Sequence, residues 1–463
     1  MKILFVSHRY PPEGTAGTET YTAQLAASLV RRGHEVHVFT AKKDVSLDDL
    51  TLSTRSAGGV AVHELVNNLF YDDFRETWDH PRIEAIFDEF LARLEPDVVH
   101  VQHLLYLSVG CVEAAGRRDL PIVFTLHDYW LQCPRFGQRI HGDGSLCETI
   151  DFGRCGTCLP GFKWKQTDQE RQMSERVKRW REKTGFNLTP LARSAAGVLR
   201  KPATGYAHPP AEHAQVMEKA ARVRSAELFG RIVPCVDLFL APSRFLRDRF
   251  LHEWGIHPTK IEFLRFGVDL EAFTRVERTR TDKLRIGFLG SIISVKGPQL
   301  LLEAWGRIPR ELRARGSLVL YGPSLHEPEY VARVEAKARE VGAQLHGRLE
   351  RAEVPRVHAS LDLLVVPSLW FENAPLVIYE ALAAGTPLLV ADLGGMAELV
   401  EEGRGGWRFK SGDADDLARR LSALLADRSP LDEIGGARPE IPTFEQHASE
   451  VEALYVVLSC AKS

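Results

Sequence analysis

The chain opens on an unbroken apolar run, Ile3-Leu4-Phe5-Val6. A short continuous run of this kind predicts a strand buried on both faces. A Pro- and Gly-rich turn follows, from Pro11 to Gly17. Residues 19–32 then place Leu25, Ala26, Leu29 and Val30 at helical spacing, with Arg31 and Arg32 in the last turn and Gly33 as the stop. Residues 36–40 read as the next strand. Strand, loop, helix, strand is the building block of a parallel doubly wound sheet. Further strands are predicted near residues 60–65, 98–102, 122–127 and 238–241, with helices between most of them.

The pattern restarts near residue 283. Residues 283–290 (KLRIGFLG) form another strand that ends in a Gly-containing loop, and Lys296-Gly297-Pro298 opens a helix through Leu300, Leu301, Leu302, Ala304 and Trp305. Later strands are predicted at 317–321, 344–346, 363–366 and 387–390. The join falls around 268–282, where residues 274–283 are charged and lack periodicity. This predicts an α/β chain of two doubly wound, Rossmann-like domains facing across a cleft, over residues 1–275 and 276–440. Ligands of such sheets bind at the carboxyl ends of the strands. A last helix within 441–463 is expected to cross back to the first domain. Residues 131–233 show no convincing strand and read as an insertion in that domain.

Composition narrows the classes. The 463 residues are 44% hydrophobic and 26% charged, which excludes disordered and fibrous classes. The net charge of −3 gives no reason to expect a nucleic-acid partner. It conceals a local excess: residues 163–201 carry eleven Lys and Arg against four acids, with Trp164 and Trp180 interleaved. Such a stretch suits an anionic membrane surface, and equally a solvated helical face with its Trp residues turned inward. No apolar stretch reaches membrane-spanning length, and the opening run is too short for a signal peptide, so a cytoplasmic protein is expected, with peripheral contact at the inner face of the membrane as an option. Four of the seven cysteines, Cys133, Cys147, Cys155 and Cys158, crowd into the insertion. Their number matches a structural zinc site or an iron–sulfur cluster, and the Gly-rich surroundings are expected to need such a staple.

The densest chemistry lies in residues 367–400, PSLWFENAPLVIYEALAAGTPLLVADLGGMAELV. Glu372 sits in a loop after a strand and Glu380 lies eight positions on, inside a helix. Asn373, Ala374, Pro375 and Leu376 fall at the helix start, with Pro375 expected at the first helical position. A helix N-terminus offers free N–H groups to a diphosphate, while the flanking carboxylates can accept from sugar and ribose hydroxyls. Lys296 supplies a cation at the start of the second domain's first helix. His127 is placed at the end of a strand and precedes Asp128. His100 and His103 read as packing or cleft-wall residues.

This stretch resembles the Glu-x7-Glu motif of the family-four glycosyltransferases. Residues 11–40 (PPEGTAGTETYTAQLAASLVRRGHEVHVFT) are similar to that family's opening, and APSRFLRDRF and FGVDLEAF to its inter-domain segments. GFLGSIISVKG resembles the donor-diphosphate loop, and Gly394-Gly395 the second phosphate loop. The resemblance implies a retaining enzyme of GT-B fold, of a bacterial subtype with a cysteine-rich insertion. It would move a hexose from a UDP- or GDP-sugar to a hydroxyl of a glycan or lipid-linked acceptor in cell-surface polysaccharide synthesis. It also implies donor contacts at Gly17, Gly290, Ser291, Lys296, residues 373–376 and Glu380, and catalytic roles for His127, Lys296 and Glu372. The mechanism implied is front-face attack, with no catalytic divalent metal. Ser291 stands where the family usually has Arg, leaving Lys296, backbone amides or Arg265 to neutralise the phosphates, and Ala16-Gly17 stands where it has two glycines. A nucleotide-sugar epimerase on the same fold, or a non-catalytic metal-binding scaffold, are the alternatives.

Overall fold

The computed structural model describes residues 1–160, 162–185, 211–278, 281–324, 328–434 and 441–462. Two units divide the chain. The first comprises Met1–Pro242, Arg247–Leu264 and Ala448–Ser463, and the second Ser243–Leu246 and Arg265–His447.

The first unit is built on eight strands: β1 (Lys2–Ser7), β2 (Glu35–Lys42), β3 (Leu52–Ala57), β4 (Val60–Val66), β5 (Val98–Val101), β6 (Ile122–Thr125), β7 (Leu238–Ala241) and β8 (Ile261–Phe263). Their order in the sheet is β3-β4-β2-β1-β5-β6-β7-β8. All neighbours are parallel except β3 and β4. That hairpin closes on Gly58 and Gly59, both at positive φ, the backbone that a two-residue turn between twisted strands requires. The opening run is fully buried at the centre of the sheet, paired with β2 on one side and β5 on the other. The strand order reverses between β1 and β5, so the carboxyl ends of these two strands form the switch point of this unit.

The second unit has seven strands: β9 (Leu284–Leu289), β10 (Gly316–Tyr321), β11 (Gln344–His346), β12 (Leu363–Val366), β13 (Leu388–Ala391), β14 (Glu401–Glu402) and β15 (Gly405–Phe409). Their order is β11-β10-β9-β12-β13-β15-β14, with the switch point between β9 and β12. Its core includes Ile286, Phe288, Leu301, Leu302, Leu364 and Val365, each almost fully buried.

Between β6 and β7 the described residues of the insertion hold no strand. They form the helices Phe152–Cys158, Asp168–Thr184 and Ala211–Ile232, with one isolated bridge between Ile140 and Leu146. Of the predicted basic segment, Arg193, Arg200 and Lys201 lie outside the described residues. The helix Phe444–Lys462 begins in the second unit, and from Ala448 it belongs to the first. There the Tyr455 hydroxyl meets His100 Nδ1 at 2.5 Å, and Lys462 pairs with Asp237 at 2.8 Å.

Candidate functional site

Each unit gathers polar side chains at the carboxyl ends of its central strands. In the second unit the chain leaves β9 through Gly290 and Ser291, makes one tight turn at Ser294–Lys296 and enters the helix Pro298–Arg307. Gly297 has φ +72°, and a Cβ there would lie 2.0 Å from the Pro367 carbonyl oxygen. Only glycine lets the β9 loop close onto the end of β12 in this way. The contact places Lys296 Nζ 2.5 Å from Glu372 Oε1 and 5.4 Å from the centre of the Trp370 ring. Glu372 is buried and also accepts from Ser368 Oγ at 2.9 Å.

Helix Leu376–Ala384 follows, and no side chain caps its N-terminus. Pro375 takes the N-cap rather than the first helical position expected for it, with Leu376 opening the helix. Asn373 is buried, and its Oδ1 accepts from Ser243 Oγ at 2.6 Å. Gly395 donates its N–H to the Glu372 carbonyl at 2.8 Å, and a Cβ on Gly395 would lie 1.6 Å from the Asn373 carbonyl oxygen. The two sequence-predicted phosphate loops thus converge on residues 372–373. Glu380 is buried one turn further on, bonded to Arg351 and 3.6 Å from His358 Nε2. Burial pushes its pKa upward, but the His358 and Arg351 contacts outweigh this and hold it below the usual range. Both glutamates are therefore buried acceptors held by cations. Arg351 and His358, which the sequence reading had not singled out, complete this part of the site. Arg265 is exposed and acts on the same helix through Tyr379, whose rise in pKa on burial it opposes.

In the first unit His127 lies just beyond β6, which ends two residues earlier than predicted. Its Nε2 is 2.8 Å from Gln102 Oε1 and its ring lies edge-on to Tyr21. His103, read as a wall residue, instead joins the cluster. Its Nε2 is 3.1 Å from Asp128 Oδ2, and its ring lies 4.5 Å from that of His8. His8 in turn is 3.2 Å from Glu19 Oε1. His100 is fully buried between Thr125 and Tyr455 and has a packing role. Gly17 opens the helix Gly17–Arg31, and a Cβ there would meet nothing within 4 Å.

Burial pushes the pKa of His127 down to about 3, and the neighbouring His103 adds to the effect. Glu19 settles at about 2, because contacts with His8 and Arg9 outweigh its own burial. As pH falls, the unfolded chain takes protons at about 6.5 for His and about 4.3 for Glu before the folded chain does. Both groups therefore stabilise the fold fully above those values. The His127 share fades from about pH 6.5 toward 3, and the Glu19 share from about 4.3 toward 2. Urea midpoints at pH 7 and 5 should fall for the native chain and fall less for His127→Asn. Equal falls would contradict the burial of a neutral imidazole.

The four clustered cysteines do not form the expected metal site. Among the described residues no group of three or more His, Cys, Asp or Glu could hold a metal ion. The sulfurs lie close enough to act on one another electrostatically, yet each has its own nearest contact. Cys147 Sγ donates to the Thr149 carbonyl at 3.2 Å, and Cys158 Sγ lies 3.3 Å from His141 Nδ1. Cys155 packs against the apolar cluster of Phe74, Leu159, Met217 and Ala221. Cys133 continues the turn after Tyr129, donating its N–H to that carbonyl. Burial raises the thiol pKa of Cys147, Cys155 and Cys158, and the neighbouring cysteines add to the rise. The staple is Arg139, 1% exposed, which donates to the Cys147 and Glu148 carbonyls, Gln132 Oε1 and Glu253.

The basic helix Asp168–Thr184 is anchored on one side. Lys178 pairs with Asp48, and Arg181 donates to Ser46 Oγ at 2.7 Å. Trp164 packs edge-on to Phe74, whereas Met173 and Trp180 are more than half exposed. Among the described residues no helix is long and apolar enough to cross a membrane.

Residues 270–438 match the model of Glycosyl transferases group 1, and residues 15–147 that of Glycosyltransferase Family 4. The chain is 30% identical to a D-inositol 3-phosphate glycosyltransferase of Kribbella flavida over 49% of its own length and 56% of the relative's. It is 27% identical to a sulfoquinovosyl transferase of Arabidopsis thaliana over 46% of its own length and 42% of the relative's. It thus spans about half the length of these curated relatives. Among solved structures, sucrose-phosphate synthase from Thermosynechococcus elongatus superposes with a TM-score of 0.64 at 18% identity, covering 99% of both chains. Anabaena HepE in complex with UDP and glucose gives 0.58 at 17% identity, covering 100% of this chain and 98% of that one. The chain carries the two Rossmann-like domains of the GT-B glycosyltransferases.

Proposed function

We propose that this chain is a retaining glycosyltransferase that moves a hexose from a UDP- or GDP-sugar to a hydroxyl of a glycan or lipid-linked acceptor in cell-surface polysaccharide synthesis. The observation that carries the reading is the Lys296–Glu372 pair beside Glu380, gathered around the β9/β12 switch point within the segment that matches Glycosyl transferases group 1. Glu380 accepts from ribose hydroxyls, the uncapped start of helix Leu376–Ala384 and the Gly290–Ser291 loop receive the diphosphate, and Glu372 accepts from hydroxyls of the hexose. The first unit supplies the acceptor site around His127.

In the reaction the bond between the anomeric carbon and the diphosphate oxygen breaks, and its electron pair leaves with the phosphate, where Lys296 stabilises the new charge. The acceptor oxygen forms its bond on the face the phosphate leaves, and its proton passes to the departing phosphate oxygen. Double displacement would need a carboxylate nucleophile beneath the anomeric carbon, whereas Glu372 is already engaged by Lys296 and Ser368. His127, held neutral, offers an uncharged ring to the transferred sugar.

A thermal-shift screen of UDP- and GDP-sugars tests the reading. One donor class should raise the melting temperature, and Glu380→Ala should weaken that donor by about 10- to 100-fold, the range for losing a charged hydrogen-bond acceptor. Failure of every donor to shift the melt would overturn the proposal. Peripheral membrane contact through Trp180, Met173 and the cations around them is part of the same reading. The chain should co-float with phosphatidylglycerol vesicles at low salt and be released as salt screens the attraction. Absence from the vesicle fraction at low salt would remove that part.

A further inference from the structure

Glu380, the carboxylate set against ribose hydroxyls, is held in two different ways. His358 Nε2 lies 3.6 Å from its Oε2. His358 is fully buried, its ring edge-on to Phe273 at 5.9 Å and its carbonyl accepting from Thr386 Oγ1 at 2.9 Å. Close packing of this kind fixes the His358 side of the carboxylate. Oε1 is bonded instead to Arg351 Nη1. The Arg351 side chain is 50% exposed, against 8% for Glu380, and it rises from the single turn Arg351–Glu353 that follows β11. One partner belongs to the core, and the other is a long arm laid over the carboxylate from the solvent side.

A ribose that offers its hydroxyls to Glu380 meets Arg351 first, because the guanidinium occupies Oε1. An ion pair with one half-exposed member exchanges readily, and Glu380 keeps His358 at Oε2 when Arg351 leaves. Glu380 lies one turn, about 6 Å along the axis, into helix Leu376–Ala384, whose start receives the diphosphate. Positive charge is short there. Each phosphate carries a negative charge, the Gly290–Ser291 loop is uncharged, and the Lys296 ammonium is already balanced by Glu372 at 2.5 Å.

We propose that Arg351 is an exchangeable donor-binding residue: in the ligand-free chain it covers Glu380, and when a nucleoside diphosphate arrives the ribose displaces it and its guanidinium moves onto the diphosphate. The planar fork takes two phosphate oxygens at once and adds a second cation beside Lys296. The exchange ties recognition of the ribose to recognition of the diphosphate. A nucleoside alone displaces Arg351 without giving it a new anion, and a nucleoside diphosphate does both. The proposal rests on the reading of the second unit as the nucleotide-sugar side.

The test is isothermal titration of the full chain and of Arg351→Met with UDP, GDP, uridine and guanosine, the nucleosides read by competition against the diphosphate. Arg351→Met should weaken the preferred diphosphate by about tenfold, the step expected for losing a charge-assisted hydrogen bond. Its nucleoside should bind as tightly as before or more tightly, since the competitor for Glu380 is gone. Arg351→Lys should recover part of the loss. Unchanged or tighter diphosphate binding overturns the proposal, and so does an equal loss for diphosphate and nucleoside, which makes Arg351 only an orienting partner of Glu380. Where a nucleoside does not compete, the diphosphate titration repeated at higher salt decides: a weaker salt dependence in Arg351→Met than in the native chain supports the proposal and an equal one overturns it. Should Arg351→Met fail to fold, Arg351→Gln takes its place. A native chain that binds neither UDP nor GDP rejects the nucleotide reading of the second unit and this proposal with it, whereas native binding with unaltered variants rejects the role of Arg351 alone.

Discussion

Lys296→Ala should lower kcat by about 100- to 1000-fold while changing KM for the donor far less, the loss typical of removing one preorganised charge from a developing oxyanion. The ammonium is fixed before any donor arrives, by Glu372 at 2.5 Å and by the Trp370 face at 5.4 Å. A cation already in place needs no reorganisation when phosphate charge appears. Lys296→Arg keeps the charge but replaces a compact ammonium with a wider planar fork, so it should recover only part of the rate. Glu372→Gln shares the interaction, and the double variant should be much less than multiplicative relative to the two single ones. Release of nucleoside diphosphate in a coupled assay reads the native enzyme and all four variants. A Lys296→Ala enzyme within about threefold of native kcat would exclude Lys296 from leaving-group stabilisation.

The sequence pattern was most informative where strands are buried on both faces. β7, β12 and β13 lie almost where the unbroken apolar runs place them, because no alternative assignment buries those residues. β3 has no such signature. Its residues, LSTRSA, are only half-buried, and it sits at the edge of the sheet, where one partner suffices. Its legible mark was the Gly58-Gly59 turn between two short strands. β8 and β14, of three and two residues, carry too little pattern to detect.

At the sites, chemistry close together in sequence was legible and chemistry brought together by the fold was not. Glu372 and Glu380 share one motif, but the partner of Glu380, Arg351, reaches it from 29 residues away. His100 and His103 look alike in VHVQH. His100 lies within β5 and is sealed under Tyr455, whereas His103 falls past the strand end and meets Asp128. For the cysteines, spacing counted possible ligands but carried no information about where each sulfur points.

The stapling of the insertion gives the second large effect. Arg139→Met should destabilise the first unit by about 3–5 kcal/mol, the usual cost of breaking a buried charged pair by removing one partner. Four acceptors converge on this side chain: the Cys147 and Glu148 carbonyls, Gln132 Oε1 and Glu253 Oε2. Methionine fills much of the volume but satisfies none of them, leaving buried oxygens unpaired. In calorimetry the transition of the first unit should fall by about 10 °C while that of the second stays, since a chain of two units need not melt in one step. The contrast is Cys133, Cys147, Cys155 and Cys158 all replaced by Ser. Cys147 meets a carbonyl, Cys158 an imidazole and Cys155 an apolar cluster, contacts weaker than a buried charge-assisted network, so the four replacements together should cost less than Arg139 alone. The opposite ranking, with the fourfold Ser variant falling further than Arg139→Met, would return the stapling role to the thiols.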